Sequence, residues 1–479
     1  MSNLSELLPA GAGAKSAEFV ASGTLGSGVT VALNSNGTVS AVAETITSSS
    51  LGSKTTFEAS LYTMHYGSDY DSSNSKVLIS FRDDANSGYG TAVVGTISGT
   101  SISFGTPVVF ASESCTYTST TFDTNAGKFL IVYTGTGDDG KGIVGTVSGT
   151  SVSFGSAATF DSTRVSYKSV KYNTFEQKSV VAWKSEFDNR GRCRVATISG
   201  TSVSFGGDTT FETSVTAYVS VGYDSVNQKT VIFWQDTSTQ RGRAVVGTIS
   251  GTTITYNTEV IFSGSTDASY IANAFDPNTG KFAVFYAGAS NYGQAVVGTV
   301  SGTDISFGSA VTFSSAGGTI SISATYDATA SKVVVAYGSS SSNKNIIQSG
   351  LISGTSITFD TATENNYSTD STAIVYDSSA GKVSFAYADT GAFTGYGIGR
   401  VYTVGYTSTN VSDFIGITDQ AIADTATGAV IVQGGVSDKV TGLTTGSDYY
   451  VQSDGSLSTT VSSVPAGRAL SSTSILLEG

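Results

Sequence analysis

The tripeptide Ser-Gly-Thr begins at Ser98, Ser148, Ser199, Ser250, Ser301 and Ser353, a period of 50 to 52 residues. A second marker recurs seven times: an aromatic residue, Asp or Asn, four turn-like residues, then Lys. Its copies run Tyr70–Lys76, Phe122–Lys128, Tyr172–Lys178, Tyr223–Lys229, Phe275–Lys281, Tyr326–Lys332 and Tyr376–Lys382, and from Lys76 to Lys382 six steps cover 306 residues, 51 per step. A period of this size means that each unit is one supersecondary module, which buries its apolar faces only against its neighbours.

Each unit carries four strand signals. In the fourth, Tyr218–Tyr223 reads as strand A, Lys229–Trp234 as the apolar strand B, Ala244–Ile249 as strand C and Thr253–Phe262 as one outer strand D. Val, Ile, Phe, Tyr and Thr dominate these runs, with Gly, Asn, Asp or Ser between them. The Ser-Gly pair between C and D suits a tight hairpin, because Gly accepts positive φ. Helical repeats of similar length would show apolar stripes at 3.6-residue spacing, and the chain has none. The reading is all-β: a seven-bladed β-propeller with four-stranded blades over residues 51–412. Thr55–Ser60 reads like Thr209–Ser214, the end of an outer strand, and is expected to complete the last blade, whose Gly405–Thr409 lacks Ser-Gly-Thr. Residues 1–50 read as an amino-terminal β segment and 413–479 as a small carboxyl-terminal β domain. Hairpins are expected at Gly28–Ser40 and Gly446–Ser458, with the two modules separate or packed together.

Composition sets the exclusions. Among 479 residues 39% are apolar and only 13% charged, which argues against disorder, and four prolines argue against a collagen-like chain. A net charge of −13, from 24 basic and 37 acidic side chains, repels phosphate, so no nucleic-acid partner is expected. No apolar run approaches the roughly 18–20 residues of a membrane span, so no membrane insertion is expected. The start, Met-Ser-Asn-Leu-Ser-Glu-Leu-Leu-Pro, lacks the pattern of a signal peptide, which implies synthesis and folding in a cytoplasm. Cys115 and Cys193 show no metal or redox spacing and read as buried free thiols.

His65 is the one histidine, and it stands five residues before the marker aromatic. The same slot holds Tyr117, Tyr167, Tyr218, Tyr270, Ser321 and Ser371, so His65 reads as structural. A Ser-His-Asp triad would rest on it alone, and histidine-based zinc chemistry has no ligands. No P-loop or dinucleotide fingerprint occurs. No catalytic, cofactor-binding or metal-binding residue is assigned, and no cofactor is expected.

Three residues before the marker stand Gly67, Ser119, Ser169, Ser220, Ala272, Ser323 and Ala373, all small. Side-chain alternation would put them on the same face of strand A as the tyrosine slot. They allow close blade packing, and some of the tyrosines could lie at the mouth of the central channel, where flat rings stack on sugars. Loops divide between two faces: A–B and C–D links are monotonous, whereas B–C and D–A links vary. Variable loops on a rigid scaffold are where binding usually resides. The candidate ligand or partner residues there are Arg82, Asp83, Tyr89, Phe187, Arg190, Arg241, Tyr292, Phe393 and Tyr396. Arg190, Arg192, Arg194, Arg241 and Arg243 crowd two neighbouring units. Inter-blade salt bridges are the expected use, with a carboxylate sugar as the sharper alternative.

Leu4–Ala14 followed by Phe19–Val39 resembles the amino-terminal stretch of structural proteins of tailed phages, marine cyanophages in particular. The carboxyl end, from Phe414-Ile415-Gly416 through Gly442–Val451 to Gly467–Ser471, is similar to a small β module of phage fibre and virion proteins. The blade pattern Val93–Gly105 resembles repeats in predicted phage fibres. The resemblance implies a non-enzymatic virion structural protein, a tail fibre, appendage or head-decorating protein located in the virion. One propeller face would contact host-surface polysaccharide or other virion proteins, in a homo-oligomer such as a trimer. A fibre's long coiled coil and triple-β shaft are absent, which favours a globular appendage. Two alternatives stand beside this: a carbohydrate-active propeller enzyme with a carboxylate pair at the channel mouth, and a bacterial surface adhesin or lectin.

Overall fold

The computed structural model describes residues 15–59, 63–366, 371–389 and 395–478. Contacts separate Ser48–Gly405 as one compact unit from the residues on either side of it, which form a second.

The larger unit is a β-propeller of seven sheets, one per repeat. Blade 4 is representative, with strands A Thr216–Asp224, B Lys229–Asp236 and C Arg241–Ser250, all paired antiparallel. The inner A strands touch in sequence around the ring, and that of blade 7 (Thr372–Asp377) touches that of blade 1 (Thr63–Asp71). Strand B is apolar along its length because both faces are covered: Val231, Ile232, Phe233 and Trp234 are fully buried, alternately against the preceding and following blades.

The outer strand differs from the expected single run. In blade 4 it is two pieces, Thr253–Tyr256 and Val260–Ile261, each pairing with a different half of strand C. In blades 1, 2, 3 and 5 a glycine follows the outer-strand aromatic at the break, where blades 4 and 6 carry Asn257 and Asp360. A Cβ on Gly206 of blade 3 would lie 2.0 Å from the Thr252 carbonyl oxygen in the Ser-Gly-Thr turn of blade 4. Gly206 still donates its N–H to the Val195 carbonyl of its own strand C at 2.8 Å while it lies on the next blade, and the same fit recurs at Gly105, Gly155 and Gly308. Ser-Gly-Thr is thus both the C–D hairpin, with glycine φ of 58° to 63°, and the docking point for the preceding blade.

The second marker is an interaction set. Asp224 is buried and accepts from the backbone N–H groups of Val226 and Asn227 (2.9 and 2.8 Å), fixing the A–B turn. Lys229 donates to Thr248 Oγ1 of its own strand C at 3.0 Å. The Tyr223 hydroxyl accepts from Phe175 N–H of the preceding blade's turn at 3.2 Å, and that of Tyr70 accepts from Ser379 N–H of blade 7 at 3.3 Å, across the closure. Ser50–Leu51 and Thr55–Glu58 pair with strand C of blade 7 (Tyr396–Thr403) and supply its outer strand, as the sequence led us to expect.

In the smaller unit both ends of the chain share a sheet, in the order Ser16–Val20, Thr427–Val432, Phe414–Thr418, Thr30–Leu33, Val39–Ala41. A second sheet holds Val436–Ser437, Ser474–Leu477, Pro465–Ser471, Asp448–Val451 and Leu457–Ser458. Ala32, Ile417, Ile431, Tyr449, Val451 and Ile475 belong to one core, so the terminal segments are packed together. Both expected hairpins are present.

Candidate functional site

The A strands enclose a central channel of about 680 Å³. Its wall is sewn together by the small slot: Ser119, Ser169 and Ser323 each accept, at 3.0 to 3.1 Å, from an N–H of the next inner strand (Val170, Val221 and Ile374). Ser220 accepts instead from Asn273 Nδ2 at 2.8 Å. Small size and a hydroxyl both matter here, since these residues hydrogen-bond blade to blade as well as pack. Asp69 accepts from Tyr70 N–H (2.9 Å) and Phe122 N–H (2.8 Å), one with each carboxylate oxygen.

The tyrosine slot departs from simple alternation. Each described A strand of blades 2 to 6 carries a bulge there, as between Thr116 and Ser119. Its residue takes a left-handed conformation: φ is 51° at Tyr117, 45° at Tyr167, 49° at Tyr218, 51° at Tyr270 and 51° at Ser321. The bulge breaks the register on which tyrosine and small slots would share a face. It releases the rings at the start of the inner strands, on the face of the B–C and D–A loops. There Tyr167 and Tyr218 lie 4.9 Å apart between ring centroids, and Tyr218 and Tyr270 lie 5.0 Å apart. Tyr117 is 49% exposed, and the other three are half-buried. Burial, together with the neighbouring Tyr270 and Tyr167, raises the Tyr218 hydroxyl above the ordinary tyrosine range. The side chain of His65, in the same slot, lies outside the described ones.

Beneath this arc sits Lys168. It is buried, donates through Nζ to Thr134 Oγ1 (2.6 Å) and the Thr116 carbonyl (3.1 Å), and stands 5.6 Å from the Tyr117 ring centroid. Burial pushes its amine down to about 7. Burial also pushes the thiols of Cys115 and Cys193, both free, up to about 12.

The described ones among the residues singled out fall in blades 1, 3, 4, 5 and 7, at the ends of strands B and C or in the loop between them. Arg82 Nε donates to Asp84 (2.5 Å), and Asp83 is buried and caps the short turn Asp84–Asn86. Tyr89 is half-buried at the start of strand C of blade 1. In blade 3, Phe187 is 79% exposed and Arg190 approaches Asp188 at 3.8 Å. Arg241 opens strand C of blade 4 and bridges to Asp267 through the backbone. Tyr292 is exposed in blade 5, Tyr396 opens strand C of blade 7, and Phe393 lies outside the described residues.

The arginine cluster pairs within blades rather than between them. Arg192 binds Asp188 and Asp208 of blade 3, and Arg243 binds Asp236 and Glu259 of blade 4. These acids stand 4 to 16 residues from their arginines, so the nearest partner in sequence is also the one in space. Trp183 and Trp234 are fully buried and reach the preceding blade, donating to Asp161 (2.8 Å) and Glu212 (3.1 Å). Sequence reasoning found the tyrosine slot but missed Lys168. Its signal was present, since the slot four before the marker holds Val219, Ile271 and Ile322 in the following blades.

No family model matches the chain, and no curated protein does. Solved structures do. A lectin from Burkholderia pseudomallei, at 11% identity and a TM-score of 0.52, aligns over 73% of this chain and 97% of its own. A periplasmic gluconolactonase from Pseudomonas aeruginosa (10% identity, TM-score 0.48) aligns over 64% and 86%, and AofleA from Arthrobotrys oligospora (10%, 0.42) over 72% and 96%. The likeness to the first is one of fold.

Proposed function

We propose that the propeller binds a carbohydrate, without catalysis, at the loop-bearing mouth of its channel, and that it does so as an appendage of a phage virion. The observation that carries the binding reading is the tyrosine arc. Tyr167, Tyr218 and Tyr270 stand in a row with ring centroids 4.9 and 5.0 Å apart, and Tyr117 keeps half its surface open. Amphipathic rings with hydroxyl tips on a rigid scaffold suit the alternating apolar faces and hydroxyls of sugars. A glycosidase within the channel would need two facing carboxylates. Among the described residues lining the channel Asp69 is the one acid, and both its oxygens already accept backbone N–H groups. The fold shared with a lectin is consistent with binding. The virion setting rests on the resemblance of the chain's ends and blade pattern to phage structural proteins.

Calorimetry and a glycan array test the first part: the wild type is expected to bind a host-envelope polysaccharide, and Tyr218→Ala to bind it about tenfold more weakly. Equal binding by both proteins would refute the site. Release of reducing ends from that polysaccharide would refute the non-catalytic reading. Mass spectrometry of purified particles tests the setting, and absence of the chain from them would leave the adhesin as the better reading.

A further inference from the structure

Strand C of blade 3 (Gly191–Ser199) departs from its siblings at one position. Five residues before the serine of Ser-Gly-Thr stand Val93, Ile143, Arg194, Val245, Val296 and Gln348. The four aliphatic residues are buried between blades, and Gln348 donates its amide to the Phe313 carbonyl at 3.2 Å. Arg194 has neither solution. Among the described residues its guanidinium enters no ion pair, and its Nε is buried without a hydrogen-bond partner.

Arg194 lines a groove of about 440 Å³ where blade 3 meets the outer strand of blade 2, together with Thr159, Asp161, Thr163, Phe187, Arg192 and Asp208. The acids there are committed. Asp161 accepts from Trp183 Nε1 and from Thr163 N–H, both at 2.8 Å, and Asp208 is held by Arg192. Two arginines and two aspartates line the groove, and among the described residues Arg194 enters no ion pair and leaves its Nε without a hydrogen-bond partner; the exposed Phe187 ring stands beside it.

A buried guanidinium N–H without an acceptor is costly, and a planar carboxylate matches its donor fork. The nearby carboxylates of Asp161, Asp188 and Asp208 would repel a dianion more strongly than a monoanion. We propose that this groove is a second binding site, for the carboxylate of an acidic saccharide of the hexuronic class, with Arg194 holding the carboxylate and Phe187 covering a face of the sugar ring. The saccharide in this assignment rests on the carbohydrate reading above; the carboxylate rests on Arg194 alone.

The test is calorimetric titration of the full chain with sodium glucuronate, with glucose as the uncharged match and sodium acetate as the sugarless carboxylate. Glucuronate is expected to bind, and Arg194→Val, the residue of blades 1, 4 and 5, to weaken it by roughly tenfold to a hundredfold. The same variant is expected to melt no lower than the wild type, since valine fills this slot elsewhere. Arg194→Gln, the residue of blade 6, repeats the binding test with a side chain of more similar shape. Phe187→Ala should weaken glucuronate and leave acetate unchanged, and Tyr218→Ala should leave glucuronate affinity unchanged. The site is overturned if glucuronate fails to bind or binds both Arg194 variants as tightly as the wild type. Loss through Tyr218→Ala alone would also overturn it, by placing the uronate at the channel mouth. Acetate binding as tightly as glucuronate, through Arg194, would overturn the saccharide assignment.

Discussion

Lys168→Met should change how stability responds to pH, in a direction and by an amount that follow from the burial of one amine. The ordinary lysine value is 10.5, and burial in the folded chain lowers it to about 7. Below pH 7 folding must bury a charged ammonium. The gap between 10.5 and about 7, at about 1.4 kcal/mol per pH unit, makes this cost on the order of 5 kcal/mol. Between the two values the unfolded chain holds the proton and the folded chain does not, so wild-type stability rises with pH. From pH 7 to pH 9 this contribution rises by about 2 kcal/mol. The methionine chain has no such group. Its stability relative to the wild type should therefore fall by about 2 kcal/mol over the same interval. Cys115, held up at about 12, stays a thiol throughout, and groups shared by both chains cancel. Losing the donors to Thr134 and Thr116 adds an offset of about 1–3 kcal/mol that does not vary with pH. Urea unfolding at pH 7, 8 and 9, read as midpoints at constant m, measures the difference. A difference flat in pH would refute the picture of an amine buried neutral beneath the tyrosines.

The remaining expectations use the repeat as its own control. Gly206→Ala, whose Cβ would lie 2.0 Å from the Thr252 oxygen, should cost about 1–3 kcal/mol in a thermal or urea melt. Gly207→Ala, with nothing within 4 Å, should be near neutral, and equal effects would sink the docking account of the glycine. Gln228 adopts φ of 60° in a turn position held by Gly127, Gly280 and Gly381 in other blades, so Gln228→Gly should stabilise by about 1 kcal/mol. Tyr218→Ser, copying Ser321 of blade 6, should leave a folded chain by circular dichroism while lowering polysaccharide affinity as Tyr218→Ala does. Retained affinity would detach binding from the rings.

What the sequence made legible was what repeats. The blade count, the hairpin at Ser-Gly-Thr, the Asp turn and the closing strand at Thr55 each had several copies to compare, and local chemistry explained each. Three features were hidden for physical reasons. The break in the outer strand falls where the chain packs on the next blade, as Gly206 does on Thr252, a contact between residues 46 apart that no window of sequence displays. The bulge at the tyrosine slot was masked because tyrosine carries no signal for positive φ and reads as an ordinary strand residue. The pairing of Arg192 and Arg243 was misplaced because the crowding of arginines was weighed without the acids of their own repeats, Asp188, Asp208, Asp236 and Glu259. Asp161 and Glu212 do reach between blades, through the indoles of Trp183 and Trp234.

The repeat also separates scaffold from function. Ser321 holds the same left-handed bulge as the tyrosines, so the bulge belongs to the fold and the rings do not. In the slot next to it, blades 4 to 6 place Val219, Ile271 and Ile322 where blade 3 places Lys168. On strand C, blades 4 and 5 place Val245 and Val296 where blade 3 places Arg194. Both exchanges put a basic side chain where sibling blades carry an aliphatic one, and each costs stability that the aliphatic residue would not. A blade optimised only for stacking would carry neither. Both fall in one blade, Lys168 under the aromatic arc and Arg194 in the groove beside Phe187, so the two departures from packing stand where the two proposed binding sites do.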